Sequence, residues 1–477
     1  MSQSPGIIVL SAAILLSSCT AVGSGYSRPD ITPPAQFHST NDSSPVDGRW
    51  WQQFNDPLLA ALVQETATRN LNVAEAAARV REARALLEAA KGGRLPEGAL
   101  TGSVTSNRLS EEGQIPVGKI PGFERDFTLF DAGFDASWEI DLWGRESNTI
   151  KARANDLAER QELQRSVLLS AIAETAAAYI DLRSAEASAD AVAAQAKALQ
   201  EKLRLSRLRS DSGEAPKSET VQIAVQAEEA AAQLPPLQAN ARVAAYRLAL
   251  LTGRNPADLL ERVANIGSLP DLPAALSAGT PSDVLRHRPD IRAAEYRLAA
   301  ATNRVGAATA DLFPRFSLLG SVGQQSRDGE GLFSTGSTRF SFGPSLSWPI
   351  FQMGTIRAQI RAADARSEAA AINYERTILT ALNESETALT RYTRAVERVD
   401  RTSAALDNAA ENESLSKQRY AAGEDNKLAL MDAMAATARS RASLASVKAD
   451  ALRQAVAAYK SLGGGWQAFE QDETDGG

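Results

Sequence analysis

The sequence predicts a mainly α-helical chain that adds a membrane β-component and closes only as an oligomer. Three observations predict it: a structural unit that occurs twice, two helical runs of unusual length, and strands with one greasy and one polar face.

The duplication organises the chain. Leu95-Pro96, followed by Leu100, Gly102, Ser103 and Val104, recurs as Phe313-Pro314 with Leu318, Gly320, Ser321 and Val322, an offset of 218 (95 to 313). Further on, Trp138, Gly144, Glu174, Gly213 and Gly253 map onto Trp348, Gly354, Glu384, Gly423 and Gly463 at an unbroken offset of 210 (138 to 348). Repeated matches at fixed offsets are the signature of an internal repeat. They divide the chain into a first repeat over 56–268, a Pro/Leu-rich linker over 269–280, a second repeat over 281–466 and a tail over 467–477. Each copy reads helix, strand, strand, long helix, turn, helix.

The long helices come next. Glu146–Ser210 holds no proline or glycine, and Gln352–Ala421 holds none past Gly354. At ~1.5 Å per residue each approaches ~100 Å, whereas the usual helix has ~12 residues. Both are rich in Ala and Leu with interspersed Arg and Glu, as side-by-side packing with wetted outer faces requires. Gly213 and Gly423 supply left-handed caps where each run turns back.

The strands alternate. Phe130, Ala132, Phe134, Ala136, Trp138, Ile140 and Leu142 interleave with Asp131, Gly133, Asp135, Ser137, Glu139 and Asp141. In the second copy Phe340, Phe342, Leu346, Trp348 and Ile350 interleave with Arg339, Ser341, Gly343, Ser345 and Ser347. Partner strands are expected near 99–107 and 315–324. A half-buried sandwich strand also has period two, but four such strands joined to long helices fit a transmembrane barrel better. Four strands cannot close a barrel, for which roughly eight is the minimum, and lipid tolerates no open edge. The wall therefore needs more than one chain. Asp131, Asp135 and Glu139 fall on the face that would line its lumen.

The N-terminus reads as a lipoprotein signal peptide over 1–18, with an apolar stretch Ile7–Leu16 too short to span a bilayer. Leu16-Ser17-Ser18-Cys19 resembles a bacterial lipobox, in which the cysteine becomes the lipidated first residue. Residues 19–55 then form an anchored extension, and Thr20 favours the outer membrane. With one cysteine, the mature chain has no intrachain disulfide.

Composition excludes other classes. Two histidines, one cysteine and four methionines leave too few soft ligands for a transition-metal centre. A net charge of −7 disfavours nucleic acid. No phosphate loop, metal-ligand cluster or Ser/His/Asp set is present, and His38 and His287 stand alone. An enzyme is the weakest reading, and no cofactor is expected beyond a covalent lipid on Cys19.

Four motifs carry a family resemblance: Trp50-Trp51…Phe54…Asp56-Pro57-Leu58, Asp141-Leu142-Trp143-Gly144-Arg145, Arg288-Pro289-Asp290-Ile291…Ala294-Glu295, and Tyr459-Lys460-Ser461-Leu462-Gly463-Gly464-Gly465-Trp466. Together they resemble the TolC-like outer-membrane efflux lipoproteins of the NodT type. The resemblance implies a homotrimer whose strands form one outer-membrane barrel, continued by a periplasmic α-helical barrel. It implies as partners outer-membrane lipid, a periplasmic adaptor and an inner-membrane pump, commonly of the resistance-nodulation-division class. The chain would then be a passive, gated conduit for drugs, toxic compounds or metals. It further implies a gate where Leu428 and Asp432, one helical turn apart, give a dry ring and an anionic ring, with Asp425 at the same mouth. Arg288 is expected to serve stability, and the tryptophans to pack or anchor at the membrane interface. Two other readings stay open: the exit duct of a type I protein-secretion system, and a periplasmic coiled-coil scaffold.

Overall fold

The computed structural model describes residues 26–29, 32–39, 44–111, 122, 124–264, 268–273 and 276–470. The expected signal peptide, Cys19 and the last residues of the tail lie outside them.

The first half opens with α1 (Pro57–Arg69) and α2 (Leu71–Gly92), followed by β1 (Glu97–Arg108) and β2 (Asp126–Ile140). The long helix α3 (Arg145–Asp211) leads to α4 (Lys217–Ala232), α5 (Leu234–Leu251) and α6 (Pro256–Val263). The second half has α7 (Pro281–His287), α8 (Pro289–Ala310), β3 (Arg315–Ser326), β4 (Thr338–Ser347), α9 (Met353–Ala421) and α10 (Lys427–Ser461). The chain forms two compact units, each drawn from both halves.

The first unit (1–29, 81–159, 294–373) holds the sheet. Its order is β1-β2-β3-β4, antiparallel throughout. Trp138, Trp143 and Trp348 donate their indole N–H groups to the carbonyls of Arg94, Pro314 and Leu312. These bonds fix strand ends to helix ends. Trp143 also stacks on Phe313 at 4.6 Å.

The second unit (30–80, 160–293, 374–477) is the better-buried one. Asp56 caps α1 by accepting from the amides of Leu58 and Leu59, with Pro57 at the first helical position. Trp50 stacks on Tyr459 at 5.2 Å, meets Trp51 and Phe54 edge-on, and donates Nε1–H to the Gly464 carbonyl. Gly213 and Gly423, both at φ +76°, close the turns after α3 and α9. Only a residue without Cβ takes that conformation at no steric cost.

Three expectations need adjusting. The strands end earlier than their alternation suggested, so Asp141, Leu142, Trp348 and Ile350 lie beyond them. Asp141 instead accepts from the backbone amides of Glu146 and Ser147 and from the Ser147 hydroxyl, opening α3. The returning helix of the first half is interrupted between α4 and α5, where Pro235 and Pro236 withhold two backbone donors. Its counterpart α10 runs 35 residues without a break. Lastly, a short helix precedes the first main helix in each half, ending where Asn70 or Arg288 adopts extended backbone.

Candidate channel wall and candidate gate

The sheet register sorts side chains by parity. Leu100 sits opposite Phe134, Phe134 opposite Val322, and Val322 opposite Phe340, so even-numbered residues share one face. That face is apolar and open: Leu100 is 88 % exposed, Phe340 83 % and Phe342 79 %. A water-soluble sheet would bury it. The odd-numbered face carries Thr101, Ser103, Asp131, Asp135, Glu139, Ser321, Gln325, Arg339 and Ser341.

The three acids expected together do share this odd face of β2, but each has a different partner. Both carboxylate oxygens of Asp131 are held by Arg339, at 2.9 and 2.6 Å, and Gln325 donates to one of them at 2.8 Å. Asp135 accepts from the Thr101 hydroxyl at 3.0 Å. Glu139 accepts from Arg145, which also pairs with Glu146.

The second unit holds the expected gate residues, Leu428 and Asp432 on α10 and Asp425 in the turn before it. Asn426 caps this helix through the Ala429 amide, which starts it one residue before Leu428. Leu428 is buried within the chain. Asp432 is half-exposed and lies 2.5 Å from the Lys202 ammonium of α3. Asp425 pairs with Arg419 at 3.3 Å. A second pair runs the other way, from Lys427 of α10 to Glu201 of α3 at 2.9 Å. Neighbours on α3 with opposite signs thus grip residues of opposite sign on α10. Arg204, and then Lys427, hold the Glu201 carboxyl down at about 2. Two cations of this cluster, Lys202 and Arg419, are absent from the residues singled out by sequence. Their only signal is that an acid at a helix seam wants a partner.

Arg288 is buried at the head of α8. Its guanidinium donates to the Ser461 carbonyl, to Asp290 and to Glu384, and its neighbouring carboxylates raise its pKa against the opposing effect of burial. This arrangement joins two helix ends and fits a stabilising part. His38 offers its backbone N–H to Glu386 and His287 its carbonyl to Trp466. Among the described residues no group of three or more His, Cys, Asp or Glu could hold a metal.

A sheet with an apolar open face and a polar charged one, attached to very long helices, defines a channel subunit of the strand-and-helix type. The comparisons bear this out. The family model for outer membrane efflux proteins matches residues 62–254 and 280–464. Nodulation protein T of Rhizobium leguminosarum bv. trifolii is 30 % identical over 440 residues, covering 91 % of each chain. The toluene efflux pump outer membrane protein TtgI of Pseudomonas putida is 31 % identical over 427 residues, covering 87 % of each. The structure of the outer-membrane channel OprN matches with a TM-score of 0.84 at 33 % identity, over 94 % of this chain and 99 % of that one.

The chain belongs to the outer membrane efflux protein family. It is an outer-membrane efflux component with a TolC-like fold. Among the described residues no helix is long and apolar enough to cross a membrane.

Proposed function

We propose that three copies of this chain close one outer-membrane barrel, continued by their helices as a periplasmic tunnel, through which small molecules leave the cell passively. The observation that carries the reading is the sheet. Its apolar face suits lipid, its polar face suits a wet lumen, and its edge strands β1 and β4 have no further strand partner among the described residues. Two copies would supply about eight strands, a barrel filled by its own side chains; three leave a lumen.

Internal duplication is supported by bonds as well as by sequence. Trp138 donates to Arg94 and Trp348 to Leu312, and these pairs are related by the same offsets, 210 and 218, as the motifs. The Asn70 amide donates to Leu251 and Arg288 to Ser461, again at those offsets. The family model matching twice along the chain supports the same history.

Leu428, Asp432 and Asp425 form the periplasmic gate in this reading, with the crossed ion pairs Lys202–Asp432 and Lys427–Glu201 holding α10 against α3. Cys19 carries the lipid anchor. A periplasmic adaptor and an inner-membrane pump deliver the cargo and supply the energy, so this chain needs no catalytic residues and no cofactor. The relative named for toluene efflux supports small molecules as cargo.

Single-channel recording in planar bilayers, beside mass measurement in detergent, tests the proposal. A trimer of small conductance that rises in the Leu428→Ala/Asp432→Ala variant is expected. A monomer that never inserts would defeat it. Replacing Cys19 by Ser should abolish incorporation of labelled fatty acid; retained label would move the anchor elsewhere.

A further inference from the structure

We propose that Arg339 sets the charge selectivity of the barrel wall by cancelling Asp131, which leaves Asp135, with Glu97 beside it at the start of β1, as the carboxylates that passing ions meet. The inference rests on the channel reading above, in which the odd-numbered face of the sheet lines the lumen.

The register shows how far Arg339 reaches. It lies on β4 opposite Gly323 of β3, which in turn lies opposite Gly133 of β2. Its guanidinium crosses β3 entirely to grip both oxygens of Asp131 on β2. The two glycines clear the path. A Cβ on Gly133 would come within 3.2 Å of the Arg339 Nη2 and 3.0 Å of the Val322 carbonyl. One on Gly323 would come within 2.7 Å of the Ala132 carbonyl. The guanidinium therefore lies flat on a floor without side chains. Gln325 adds a third donor to Asp131 and Ser321 lies 3.5 Å from the other guanidinium nitrogen, so the pair is held in place.

The remaining acids are not equal. Glu139 has Arg145 beside it. Asp135 has the Thr101 hydroxyl and, among the described residues, no cation within ion-pair distance, although the Arg339 guanidinium is near enough to feel its charge. The charges also break the duplication: at the offset of 210, Arg339 corresponds to Leu129, while Asp131 and Asp135 correspond to Ser341 and Ser345. The first half supplies Asp131 and Asp135, and the second supplies the base that crosses to meet Asp131; Arg315, the other base on this face of β3, pairs with Asp311 instead. In a closed wall this yields a ring of neutral pairs and a zone of carboxylates without an ion-pair partner, Asp135 and Glu97. Such a wall has a mild preference for small cations, rather than the strong one its acid content suggests.

Reversal potentials of the purified protein in planar bilayers, under a potassium chloride gradient, test this. Arg339→Gln uncovers Asp131 and should raise the cation-to-anion permeability ratio. Asp135→Asn should lower it. The expected change is up to about fivefold, the effect of one unit charge ~4 Å from an ion in water. Should Arg339→Gln fail to assemble, Asp131→Asn leaves the arginine unopposed and must shift the potential toward anions. Conducting channels whose reversal potential ignores both Arg339→Gln and Asp131→Asn overturn the inference while keeping the duct. Wild-type protein that never conducts overturns the channel reading itself, and this inference with it.

Discussion

The sheet and the aromatic packing around Trp50 treat the same kinds of side chain in opposite ways. Trp50, Phe54 and Tyr459 have no exposed surface, whereas Phe340, Phe342 and Leu100 point almost entirely outward. The hydrophobic effect acts on both sets, but through different solvents. Around Trp50 the chain itself removes apolar surface from water. In the sheet the apolar face stays largely exposed among the described residues, and in the proposed barrel lipid completes it. One region is finished by folding, the other by its surroundings.

The largest effect expected from this contrast is at Trp50. Trp50→Ala removes a buried stack and an indole hydrogen bond, at a cost of about 3–5 kcal/mol, measured as urea unfolding of the detergent-solubilised protein. Phe342→Ala, of similar chemistry on the open face, should shift that curve little. Equal losses at the two sites would break the comparison. A second test moves to lipid. Phe342→Arg places a charge on the apolar face and should cost about 2–4 kcal/mol at the bilayer midplane, falling to ~0–1 near an interface. Its neighbour Ser341→Arg points to the polar face and should be tolerated. Folding yield into lipid vesicles reads both, and a reversal of their order would put the lumen on the wrong side.

How much of this was legible depended on the distance over which the cause acts. The two faces of β2 and β4 could be read because side chains alternate along a strand whatever it pairs with. The turns at Gly213 and Gly423 could be read because the left-handed conformation leaves few residue choices. The interruption at Pro235-Pro236 is legible too, because two successive prolines break the backbone ladder of a helix. Asp141 continues the alternation and so reads as strand; only the helix start that it caps reveals otherwise. The partners of the acids were out of reach. Arg339 meets Asp131 only after β2 pairs with β3 and β3 with β4 in one register. Lys202 meets Asp432 only once α3 and α10 lie side by side.

The crossed pairs sharpen the comparison at lower energy. Lys202 and Asp432 form a partly exposed ion pair, so its strength should be only ~0.2–1 kcal/mol. In the gated duct proposed above, a change of this size still registers in the opening. Lys202→Met should raise open probability a few-fold, and a double-mutant cycle with Asp432→Asn should show the two effects to be less than additive. Full additivity in single-channel records would mean that the two residues act apart.

The smallest effect concerns acid. The Glu201 carboxyl is held at about 2, below its ordinary 4.5, by Arg204 and Lys427. A lowered value means that the folded chain prefers the ionised form. Its contribution is therefore complete above about 4.5 and is lost as pH falls from there toward about 2. The group is partly exposed, so salt and solvent weaken the effect. Other carboxylates titrate in the same window, which makes the difference between two proteins the useful quantity. Wild-type channels should open more readily on the side facing α10 as pH drops from 5 to 3, and Glu201→Gln should start more open and change less. Raising salt at neutral pH should move the wild type in the same direction as acid. If the two proteins follow parallel curves, the Lys427–Glu201 pair plays no part in holding the helices, and the grip on α10 reduces to Lys202 and Asp432 alone.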